Sequence, residues 1–139
     1  MRMPITPKIR AAAETVLQWL GTEKHRAINW WVNGRMRVHA SIEGNALAVC
    51  SRWGLARDAR VEEIARNLIA WQWDDGGWNC RDKKETTHSS FYETLAPLWG
   101  LIEFYRATND ADALRAAQRA AEFFLRHRLF RSDHTGAVI

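Results

Sequence analysis

Zinc-binding residue types fall close together in the middle of this chain: Asp75, Cys80 and His88, with Cys50 and His134 as further donors. Zinc takes four such ligands, or three and a water at a catalytic site. The spacing follows no established zinc pattern. A buried thiol and a histidine at a helix start are the competing reading, and no cofactor is expected. A second group is Glu43 and Glu93, with Asp75 as a third candidate acid. If the two glutamates face one apolar cavity, burial raises their pKa values and suits one to act as a general acid. The alternative is that they bond backbone or Ser/Thr groups near helix N-termini, where negative charge is favoured. Arg126, His127, Arg128 and Arg131 could meet a diphosphate. Cations at a helix end already complement it, and that reading is preferred.

These residues must be positioned by helices. Thr6-Pro7 reads as a cap with proline at the first helical position, opening a helix that Gly21 stops. Residues 27 to 32 are expected to form a short helix carrying Trp30 and Trp31, with Asn33-Gly34 as a break. Four helices follow, at about 39–53, 58–71, 89–107 and 110–129, with Asp58 and Asn109 or Asp110 as caps. The second and fourth are one-sided. Val61, Ile64, Ala65, Leu68 and Ile69 form one stripe, and Leu114, Ala117, Ala120, Ala121, Phe124 and Leu125 the other. The first and third are apolar nearly all round, with polar residues gathered in their first turns, so they should be inner rods. Cavity-lining residues are then expected among His39, Ser41, Asn45, His88, Ser90, Thr94, Trp53, Trp99 and Tyr105. His39-Ala40-Ser41-Ile42 matches His88-Ser89-Ser90-Phe91, which suggests a repeat of one helical hairpin per 50 residues or so.

The chain has 139 residues, 47% of them hydrophobic and 26% charged, with eight tryptophans and a net charge of +4. That suits one all-helical domain over 1–139 with an aromatic core or cavity wall. The 20 basic residues are interleaved with 16 acids, which excludes a nucleic-acid stripe. No apolar run approaches the ~20 residues of a membrane span. With no signal-peptide core and two cysteines too few for a disulfide framework, a cytoplasmic protein is expected.

Gln72-Trp73-Asp74-Asp75-Gly76-Gly77-Trp78 resembles the C-terminal half of the QW motif of squalene and oxidosqualene cyclases, and Leu68 fits as well. His88 to Thr94 and the apolar run after it resemble the inner helices of cyclases and prenyltransferase β subunits. The resemblance covers about residues 38–130. It implies an all-α fold of helical hairpins from an α/α toroid, with inner and outer helix pairs and an incomplete barrel. Two to three hairpins are too few to close a toroid, which suggests a truncated chain ending on Ala137-Val138-Ile139. Gln72, Gly76, Gly77 and Trp78 are then structural: glycines for close approach, Gln72 for exposed backbone groups, Trp78 as a wedge. The Asp-x-Asp-Asp acid motif of the cyclases and the Asp, Cys and His zinc set of the prenyltransferases have no counterpart here. The resemblance thus implies a protein that acts on or binds an isoprenoid in an aromatic-lined cavity, with cation–π contacts from Trp53, Trp99 and Tyr105. A non-catalytic module binding a lipid-like or protein partner, self-association through uncovered inner helices, and a zinc-dependent enzyme are the alternatives.

Overall fold

The computed structural model describes residues 5–132 and 135–138; the expectations that touch His134 and Ile139 lie outside them. The fold is mainly helical, with one small sheet. It runs α1 (Pro7–Leu20), α2 (Glu23–Arg26), β1 (Trp30–Val32), β2 (Arg35–Arg37), α3 (Ala40–Arg52), α4 (Ala59–Trp71), α5 (Phe91–Thr108) and α6 (Ala111–Arg126). Thr6 caps α1 as its sequence suggests, accepting from the Ile9 amide at 3.3 Å with Pro7 in the first turn. Asp58 and Asp110 cap α4 and α6 through the Arg60 and Ala113 amides. These side chains satisfy donors that a helix start otherwise leaves free.

The expected helix over 27–32 is instead the first strand of a hairpin. Trp30 pairs with Arg37 and Val32 with Arg35. Asn33 and Gly34 both adopt positive φ, 50° and 71°, the two-residue turn whose twist matches paired strands. Aromatic and β-branched residues beside an Asn-Gly turn suit a strand better than a helix. Trp73 ties the hairpin to the rest, its indole N–H donating to the Met36 carbonyl at 2.9 Å.

Helices α3 and α5 lie side by side and run parallel, since Ser41 meets Glu93, Gly44 meets Pro97, and Leu47 meets Gly100. A β-carbon on Gly44 would fall 2.3 Å from the Pro97 nitrogen, and one on Gly100 2.5 Å from the Gly44 carbonyl oxygen. Both positions demand glycine because backbone faces backbone. Helix α3 is enclosed on most sides. Helix α5 buries Glu93, Thr94, Pro97, Gly100, Leu101 and Phe104 but leaves Tyr92, Leu95 and Trp99 open. The one-sided helices flank this pair. Helix α4 buries Val61, Ile64, Ala65 and Leu68. Helix α6 buries Ala113, Ala116, Ala117, Ala120 and Phe123, a stripe turned by about one residue from the expected one, with Leu125 exposed. Small alanines let α6 sit close, which selects their face over the bulkier one.

The two hairpins repeat, with a different register from the His-x-Ser match. The α3 and α5 caps are His39 and Ser90, 51 residues apart, and the α4 and α6 caps are Asp58 and Asp110, 52 apart. His88 stands two residues before the second cap, exposed.

Cys50 lies in the core at 2% exposure. Burial, helped by the Asp58 charge, pushes its thiol from 9.0 up to about 11. An unfolded chain ionises this thiol first, so the stabilisation is complete below pH 9 and is lost as pH rises through 11. Cys50→Ala should therefore flatten the fall in stability between pH 9 and 11 by about 2 kcal/mol. Urea unfolding across that range measures it, and parallel curves for the two proteins contradict it.

Candidate functional site

The Gly-Gly-Trp loop links α4 to α5 and sets the geometry between them. Gln72 donates to the carbonyls of Gly76 and Ala116, both at 2.8 Å, so it joins the loop to α6. Gly76 has φ 99°, and its missing side chain leaves room for the Arg119 carbonyl oxygen, 2.3 Å from where a β-carbon would sit. Gly77 is equally close to Thr94 Oγ1. Trp78 is fully buried, its indole N–H donating to the Leu68 carbonyl at 3.0 Å. All four motif residues are thus occupied with joining helices.

Beyond Trp78 the loop approaches the start of α3. The Val38 amide donates to the Asn79 carbonyl at 3.1 Å, which sets Cys80 beside His39. The Asn79 side chain donates to the His88 carbonyl at 2.9 Å and anchors the lead into α5. Ser90 caps α5 and Glu93 stands three residues later, the spacing of a capping box. The Glu93 carboxylate does not reach back to its own helix. It accepts the Ser41 amide of α3 at 2.8 Å, and His39 Nδ1 lies 3.8 Å away. A His39 ring nitrogen, the Cys80 sulfur and a Glu93 carboxylate oxygen all lie within 4.8 Å of one another. Glu93 is buried, while His39 and Cys80 are part-exposed. Burial, and after it the Glu93 carboxylate, raises the Cys80 thiol above its ordinary value.

The structure does not bring Glu43 and Glu93 to one cavity. Glu43 binds His25 of α2 at 2.8 Å, both side chains buried, while Glu93 bonds a helix-start backbone amide. Nor does it assemble Asp75, Cys80 and His88. The Asp75 carboxylate accepts from the Ser89 hydroxyl at 2.5 Å and the Ser89 amide at 2.7 Å, which fastens the loop to the α5 entry. Cys50 is sealed in the core. Arg126 donates to the Asp75 carbonyl, and His127 packs edge-on against Phe91 and tilted against Phe123.

Of the expected lining residues, Thr94 is fully buried, with its hydroxyl donating to the Ser90 carbonyl at 2.6 Å. Ser90 serves as the cap, and Tyr105 packs against the core. Ser41 gives its amide to Glu93 and its carbonyl to the exposed Asn45. Two open stripes remain. One carries Ile42, Asn45 and Val49 on α3 and Trp53 at its C-cap, with all but the exposed Asn45 half-buried, and the other Tyr92, Leu95, Trp99 and the half-buried Ile102 on α5, each at helical spacing. Tyr92 is 77% exposed, Leu95 61% and Trp99 39%.

Among the described residues, buried groups that the sequence does not announce include His25 and Arg37. His25, in the short α2, is the partner of Glu43. Arg37 is fully buried, donates to the Thr86 carbonyl at 2.9 Å, and lies 4.5 Å from the Trp73 ring centre. Burial, with Arg35 adding to it, lowers its pKa. Among the described residues, no helix is long and apolar enough to cross a membrane. No protein-family model, no curated protein and no solved structure matches the chain.

Proposed function

We propose that this chain is a hairpin unit of the α/α-toroid kind whose open α3–α5 face binds an isoprenoid or another apolar molecule without converting it. The observation that carries the reading is the uncovered stripe of Tyr92, Leu95 and Trp99. Contiguous exposed apolar side chains are costly in water and mark binding surfaces. Trp99 adds an aromatic face that suits an unsaturated chain. Binding is favoured over catalysis because both glutamates that could donate a proton already hold protein partners.

Farnesol titrated into the protein and followed by calorimetry tests this. Saturable binding is expected, and Leu95→Asp should weaken it at least tenfold, about 1.4 kcal/mol, with an unchanged helical spectrum. Absence of binding, or binding indifferent to Leu95→Asp, removes the reading. A converted product in the same mixture replaces it with an enzyme. Dimerisation lost in Leu95→Asp, without farnesol binding, assigns the face to a second copy.

A further inference from the structure

We infer that His39, Cys80 and Glu93 form a zinc site. Their donor atoms come from the α3 cap, the Gly-Gly-Trp loop and the first turn of α5, and converge within 4.8 Å. The scaffold bonds that bring them together do not depend on a metal. Val38 to Asn79 sets the first two side by side, and the Ser41 amide fixes the Glu93 carboxylate. Zinc–ligand bonds of about 2.0–2.3 Å place the ligands of one ion roughly 3.3–3.8 Å apart; His39 Nδ1 and the Glu93 carboxylate already lie 3.8 Å apart, so binding asks at most about 1 Å of closure from the widest pair. The part-exposed His39 ring and Cys80 loop can supply that movement.

The donor set selects the ion. A thiol and an imidazole with one carboxylate favour zinc over the hard cations magnesium and calcium, which need mostly oxygen ligands. Three protein ligands leave a fourth position for water. The binding step is simple. The Cys80 S–H bond breaks, its proton passes to solvent, a sulfur–zinc bond forms, and no electron is transferred. This inference is independent of the apolar face, because it uses different residues and its test involves no isoprenoid.

The test uses the metal alone. Protein purified after growth with added zinc is assayed for bound metal, and stripped protein is titrated with Co²⁺ as a spectroscopic substitute. One zinc per chain is expected, with a thiolate-to-cobalt charge-transfer band in the near ultraviolet. Cys80→Ser should abolish the band and Cys50→Ala should keep it, while His39→Ala should weaken zinc binding about 100-fold. Zinc should also raise the melting temperature of the parent protein and not of Cys80→Ser. The site is overturned if stripped protein takes up no metal, or if the band survives in Cys80→Ser. It is equally overturned if His39→Ala, verified as folded by its helical spectrum, binds zinc like the parent.

Discussion

Gly44→Ala is expected to lower the melting temperature by about 10 °C, whereas Gly21→Ala leaves it unchanged or slightly raised. The added methyl at position 44 would stand 2.3 Å from the Pro97 nitrogen, 2.4 Å from the Ala96 carbonyl carbon and 2.7 Å from its oxygen. All three are backbone atoms, and no rotamer change can relieve them. The two central rods must separate, and every side chain buried between them loses contact. Overpacking in a core costs about 1–3 kcal/mol and more where nothing yields. The upper end applies here, and each kcal/mol moves the midpoint of a domain this size by about 3–5 °C. At Gly21 a methyl meets only ordinary contacts, the nearest 3.5 Å away, and φ of −75° suits alanine. Thermal melts of both variants measure the difference, and a Gly44→Ala protein that melts with the parent contradicts the close crossing.

The second large effect is at Trp78. Trp78→Ala should cost about 4 kcal/mol, the range for emptying a fully buried aromatic site. Trp78→Phe should cost roughly half as much. It keeps most of the apolar contact but strands the Leu68 carbonyl, which otherwise accepts the indole N–H at 3.0 Å. Urea midpoints at unchanged slope give both numbers. Equal, small losses in the two variants would mean that the ring is not the wedge between α4 and α5.

Long elements with local signals were readable from sequence. Thr6-Pro7, Asp58 and Asp110 marked helix starts that the structure bears out within a residue or two, because capping is decided by a side chain and the amides just after it. Residues 30–32 form a strand where a helix is expected, because three strand residues are too few for periodicity to show. There the Asn33-Gly34 turn was the stronger signal. The separation of Glu43 from Glu93 has a simple cause. Glu43 is four residues after its cap and Glu93 three after its own, and one residue turns a helix by about 100°. Matching the repeats through His39 and His88 concealed that difference. The His39, Cys80 and Glu93 cluster was not legible at all. Its members lie 41 and 13 residues apart in sequence, and they become neighbours through the bond from Val38 to Asn79 and the bond from the Ser41 amide to Glu93.

The parallel course of α3 and α5 constrains how such a chain can change in length. A helix inserted or deleted singly would reverse the direction of every later rod and present side chains where the Gly44 and Gly100 backbones need to touch. Length can therefore change only in steps of a whole out-and-back pair, 51 residues here from the His39 cap to the Ser90 cap. Within one step, the linking loops are free to vary wherever they are not tied to a neighbouring unit.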